Sequence, residues 1–120
     1  MTNEQCWVIW GKRLGFFWVG KMEYLGEGEP SMVSFDNSYV IKNLKNLIGF
    51  WHTHPQWTAD YSSMDDHTMA GWNVCVGKPL LCAIKGTDRV AAWWSLDEES
   101  PMIELKLYRV GQYVFGWYPW

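Results

Sequence analysis

Short runs of bulky apolar residues, closed by glycine, proline or a charged cluster, recur along the chain, and this pattern predicts more strands than helices. CWVIWGK (6–12) reads as a buried strand ending at Gly11, and GFFWVGKMEYL (15–25) as a second strand whose aromatic side chains suit a pleated surface. GEGEPS (26–31) is a loop and MVSF (32–35) a short strand. In DNSYVIKNLKNL (36–47), Asp36, Asn37 and Ser38 are all N-cap types. Tyr39, Val40, Leu44 and Leu47 fall near helical spacing, which predicts a helix. IGFWHTH (48–54) is a strand stopped by Pro55, residues 55–61 a loop, and SSMDDHTMAGWNV (62–74) a second helix. PLLCAIKG and RVAAWWSL are strands joined by the turn signal GTD, and MIELKLYRV (102–110) alternates apolar and polar residues as a half-exposed strand does. Many strands and two helices in one short chain predict a single α+β domain over 1–120, with no internal repeat.

Composition narrows the function classes. With 48% hydrophobic and 19% charged residues the chain is globular, and 120 residues suffice for one core. Its net charge of −3 and the lack of any basic cluster denser than Gly11-Lys12-Arg13 argue against a nucleic-acid or anionic-membrane surface. No apolar run is long enough to span a bilayer, and MTNEQC does not have the form of a signal peptide. The odd set of three cysteines, Cys6, Cys75 and Cys82, contains no CxxC pair and is expected to be reduced, as in a cytoplasmic protein. Ten tryptophans point to a core built from large aromatics; exposed aromatics that recognise a partner are expected, if anywhere, in the tail YVFGWYPW (113–120).

The chemistry concentrates in HTHPQWTADYSSMD, residues 52–65, which holds two of the three histidines. Residues two apart on a strand share a face, so His52 and His54 project together towards one point. Asp65 falls in the first turn of the second expected helix, where the helix dipole also favours a carboxylate. Two histidines and one carboxylate leave a fourth position of a tetrahedral zinc open, which is the catalytic rather than the structural arrangement. Each part also has an ordinary explanation. HxH is common in cores and on surfaces, and Ser62 with Asp65 forms a plain S-x-x-D capping box. The full spacing H-x-H-P-x6-S-x2-D is harder to obtain from capping alone.

That spacing resembles the signature of the JAB/MPN/JAMM metalloproteases, a deubiquitinase-like family. The resemblance implies His52, His54 and Asp65 as ligands of one zinc ion and Ser62 as an oxyanion donor. It also implies an upstream catalytic glutamate that opens a strand running into a glycine. EQCWVIWGK (4–12) is similar to that element and places Glu4 in the catalytic role; Glu23, Glu27 and Glu29 do not open such a strand. The implied fold is a curved mixed sheet flanked by helices, of cytidine-deaminase-like architecture, here without the usual N-terminal helix. The implied activity is hydrolysis of the amide or isopeptide bond after the C-terminal tail of a ubiquitin-like protein, with an associated activating or conjugating enzyme as a further partner. Two alternatives stay open: a non-catalytic scaffold, and a peptidase that processes a sulfur-carrier protein. Trp57 is a candidate substrate contact. Thr58 and Asp60 read as loop residues, Asp66 and His67 as a solvated helix face or support for a ligand, and Cys6 lacks the activated partner a thiol nucleophile needs.

Overall fold

A computed structural model describes residues 4–27 and 37–118, with the side chains of Asn37 and Ser38 excluded. The strands are β1 (Gln5–Leu14), β2 (Phe17–Glu27), β3 (Leu47–Thr53), β4 (Leu80–Lys85), β5 (Val90–Ser95), β6 (Ile103–Leu105), β7 (Leu107–Val110) and β8 (Tyr113–Trp117). The helices are α1 (Asn37–Ile41) and α2 (Ser63–Val76), with a 3-10 turn at Leu44–Asn46. No helix among the described residues is long and apolar enough to cross a membrane.

All eight strands form one sheet in the order β6-β5-β4-β3-β1-β2-β8-β7. Its two edge strands are consecutive in the chain, separated only by Lys106, so the sheet curls until its edges nearly meet. The expected α+β domain, with a mixed sheet flanked by helices in a cytidine-deaminase-like arrangement, is therefore not what forms. The molecule is a mostly-strand, barrel-like sheet with one helix of substantial length.

Three local departures account for the difference. The helix expected over 36–47 stops at Ile41 because Asn43 competes for its backbone: the Asn43 side-chain amide donates to the Tyr39 carbonyl at 2.8 Å, and its N–H turns back to the Val40 carbonyl at 3.0 Å. The strand expected over 102–110 breaks at Lys106, pairing with β5 before the break and with β8 after it. The aromatic tail contributes β8, inserted between β2 and β7. Val114 and Gly116 face inwards, while Tyr113, Phe115 and Trp117 are exposed. The expected strand 32–35, the cap candidate Asp36 and Trp120 lie outside the described residues.

Two apolar layers follow from the strand alternation. On one face Val8, Phe50, Cys82, Ile84 and Trp93 pack under Met69 and Trp72 of α2, with the Phe50 and Trp72 rings 4.8 Å apart. On the other face Trp18, Trp51 and Trp94 fill the inside of the curl together with Ile9, Leu81 and Val114. β1 and β2 meet through a two-residue turn in which Gly15 takes a φ of 65°, a left-handed conformation that glycine adopts without strain.

β3 and β4 are parallel, and α2 is the crossover between them. This βαβ unit fixes the position of the chemistry. It brings the start of α2 over the C-terminal end of β3, the end at which open α/β sheets bind ligands.

Candidate metal centre

β3 is the most thoroughly buried strand, since it lies between β1 and β4 and is covered on both faces. His52 faces α2 from its last full turn of pleat, and His54 follows just past its end, where Pro55 terminates the pairing. Both are 1% exposed, which is exceptional for histidine and requires partners for their nitrogens.

Asp65 supplies the facing carboxylate. Ser62 is the N-cap of α2: its Oγ accepts from the Asp65 N–H at 3.1 Å, while the Ser62 N–H donates to Asp65 Oδ2 at 2.8 Å. This capping box locks the Asp65 side chain back over the helix start. From there Oδ1 lies 3.0 Å from His52 Nε2, and Oδ2 lies 3.3 Å from His54 Nε2. One ligand atom from each of His52, His54 and Asp65 falls within 4.8 Å of the others.

The donor set fits a small divalent cation. Tetrahedral bonds of about 2.0–2.1 Å to zinc put ligand atoms roughly 3.3 Å apart, close to the two separations found. His52 is more telling. Despite the nearby carboxylate, neither of its ring nitrogens makes a hydrogen bond, so Nε2 and Asp65 Oδ1 converge on shared space rather than on each other. His54 is already oriented as a ligand: its Nδ1 donates to the Thr58 carbonyl at 2.9 Å, which leaves the Nε2 lone pair directed at the cluster.

The charges are mutually supporting. Burial opposes ionisation of Asp65, but the two imidazoles and the Ser62 N–H outweigh it and hold this carboxyl far below the ordinary range. Burial likewise depresses His54, and the Asp65 carboxylate and Thr58 carbonyl overcome it, so the imidazole is raised above its usual value.

Of the other expected site residues, Glu4 stands just before β1, half-buried, with Oε1 3.8 Å from His54 Nε2. Ser62 is exposed beside the ligands and keeps its hydroxyl proton available, because the capping bond uses the oxygen only as acceptor. Trp57 is half exposed with its ring 5.3 Å from that of His54, at the rim of the site. Asp66 and His67 point away; His67 lines a separate groove between α1 and α2 with Ile41 and Met64. Cys6 is fully buried in the core under α2. A groove of about 280 Å³ opens beside His54, between Thr53, Pro55, Lys85 and Thr87.

One functional contact has no signal in the sequence. Thr58 is not merely a loop residue, because its carbonyl fixes the His54 ring, and the loop carrying it is tied down by the β4–β5 turn. GTD in the sequence signals a turn and nothing about what that turn holds.

No family model matches the chain, and no curated protein does.

Proposed function

We propose that the chain is a zinc-dependent hydrolase that cleaves the amide or isopeptide bond after the C-terminal tail of a ubiquitin-like protein. The observation that carries this reading is the buried convergence of His52, His54 and Asp65 beside the carboxylate of Glu4. Three protein ligands with a general base next to them are the composition of a hydrolytic zinc site rather than a structural one. The spacing of these residues along the chain, which resembles that of JAB/MPN/JAMM enzymes, supplies the choice of bond.

His52, His54 and Asp65 would hold one zinc ion per chain, which would supply Lewis acidity and a water whose pKa falls from about 16 to about 7. Glu4 accepts the proton of the attacking water and returns it to the departing amine, a role worth about 10²–10⁴ in rate. Ser62 donates its hydroxyl proton to the developing oxyanion, a contribution of about 2.7–4 kcal/mol where comparable donors have been removed. Trp57 and the groove beside His54 receive the chain flanking the scissile bond.

Zinc content by mass spectrometry, measured alongside hydrolysis of ubiquitin-like C-terminal fusions, tests the proposal. About one zinc per chain, lost together with hydrolysis in His54→Ala, is the expected result. A protein that takes up no zinc after loading, or that hydrolyses equally well with chelator present, would overturn it.

A further inference from the structure

The Thr58–Ala59 peptide is hydrogen-bonded at both ends. Its carbonyl accepts the His54 Nδ1 proton at 2.9 Å, and its N–H donates to Asp88 Oδ1 at 3.0 Å. A peptide group is planar and rigid, so these two bonds share one fixed frame. The carboxylate of Asp88, the peptide and the imidazole of His54 thus form a continuous chain of donors and acceptors. It ends on the nitrogen that faces Asp65.

From this we infer that Asp88 is a positioning residue for the metal centre, acting on His54 through the Thr58–Ala59 peptide. Ligating histidines usually donate their second nitrogen to a carboxylate or a carbonyl, which fixes the ring and raises its basicity. Here a carbonyl does so directly, with a carboxylate behind it. An anion on the N–H side polarises the amide and strengthens its carbonyl as an acceptor. The inference rests on the metal-site reading of His54.

The surroundings are built for this contact. Ala59 is fully buried between exposed Thr58 and Asp60, so its N–H is shielded from solvent where it meets Asp88. Gly86, in the turn after β4, lies directly against that peptide. A Cβ there would stand 2.2 Å from the Ala59 nitrogen and 2.5 Å from the Thr58 carbonyl carbon, so only glycine admits the approach. The Thr87 N–H donates to the Trp57 carbonyl at 3.0 Å and sets the loop's register against the turn. Arg89 joins the two sides, with one guanidinium nitrogen 2.8 Å from Asp60 Oδ1 and another on Asp88 Oδ2. Asp60 and Arg89 therefore belong to the same clamp; Asp60 Oδ2 accepts from the Thr58 hydroxyl at 2.9 Å, but its contact is to that side chain and not to the carbonyl or N–H of the peptide that holds His54.

The test compares Asp88→Ala, Asp88→Asn and Asp60→Asn by two measurements: zinc dissociation constants from competition with a chelator, and the imidazole nitrogen and proton resonances of His54 in the metal-free protein. Asp88→Ala is expected to weaken zinc binding about 10–100-fold, the range seen for groups that orient metal ligands, and to lose the protected His54 Nδ1–H signal. Asp88→Asn keeps an acceptor without its charge and is expected to fall between wild type and alanine in both measurements. Asp60→Asn, a break elsewhere in the clamp, is expected to leave both within about twofold. Unchanged zinc binding and an unchanged His54 signal in folded Asp88→Asn and Asp88→Ala would overturn the inference. Equal losses in Asp60→Asn would also overturn it, by making the effect one of loop stiffness. A wild-type protein without zinc affinity would refute the metal-site reading, and the His54 resonances would then decide the role of Asp88 by themselves.

Discussion

Trp51 and His52 stand side by side in β3, each 1% exposed, yet they face opposite sides of the sheet and meet different surroundings. Trp51 enters the inside of the curl among Trp94, Leu81 and Ala83, with the Arg109 guanidinium 4.9 Å from its ring. His52 enters a polar corner at the start of α2, where neither of its nitrogens finds a hydrogen bond. Burial on the first side removes apolar surface from water and stabilises the fold. Burial on the second side desolvates groups that prefer water, and its return comes only when a cation or proton occupies the space they share. Two neighbouring positions of one strand thus differ: Trp51 holds the protein together by apolar packing, whereas the burial of His52, at the polar end of a face whose Phe50 is apolar core, calls for a partner.

The largest effect that would break this contrast is on stability. Trp51→Ala is expected to cost about 3–5 kcal/mol, a large part of the stability of a domain this size, whether or not zinc is present. His52→Ala takes away one of the two imidazoles that hold the buried Asp65 carboxylate, so it is expected to destabilise the metal-free protein, by less than Trp51→Ala does, and in addition to abolish the stabilisation zinc gives the wild type, about 4 kcal/mol at a thousandfold excess over its dissociation constant. Denaturant titrations of both variants, with zinc and with chelator, read this directly. If His52→Ala unfolded the metal-free protein as Trp51→Ala does, the two positions would be energetically alike and the contrast would be lost.

Next in size is turnover. Glu4→Gln preserves shape and removes the proton acceptor, so zinc content should stay at wild type while hydrolysis falls about 10²–10⁴-fold. Equal losses of zinc and activity would instead make Glu4 a fourth ligand. Ser62→Gly sharpens the other assignment. Glycine costs an N-cap only a few tenths of a kcal/mol, so stability should hardly move while turnover falls about 10²–10³-fold through the missing hydroxyl. Unaltered turnover would leave Ser62 as a helix cap alone.

How much of this was legible in the chain depends on range. The pairing of His52 with His54 follows from strand alternation, and the place of Asp65 follows from a capping box four residues long; both are local rules that tertiary packing left intact. Most strands were legible for the same reason. The closure of the sheet was not. It depends on a break at Lys106 inside a run that alternates evenly, and on a glycine-containing aromatic tail finding a place between β2 and β7. Nor was the short α1, because helical spacing at Tyr39, Val40 and Leu44 carries no sign that the Asn43 amide will capture a backbone carbonyl. The Asp88 contact spans 29 positions, and no local pattern encodes it.

The smallest effect concerns the clamp that links the loop to the β4–β5 turn, and it tests whether the polar face depends on exposed charge. In Asp60, hydrogen bonds from Arg89 and Thr58 hold the carboxyl below its ordinary value; in Asp88, solvent loss opposes but the Ala59 N–H and Arg89 prevail in the same direction. A depressed carboxylate contributes its stability above its unfolded pKa, about 3.9, and loses it as pH falls through the lower folded value. The clamp is therefore fully engaged from neutral pH down to about 4 and releases only below that. Thermal midpoints of wild type and Asp60→Asn should differ slightly and by a constant amount from pH 7 to 5, then converge towards pH 3. They should also converge at high salt, because the Arg89 pair is exposed and screened. A gap that persisted at pH 3 would mean that Asp60 acts by packing rather than charge, and the loop would then be held chiefly by the backbone approach at Gly86.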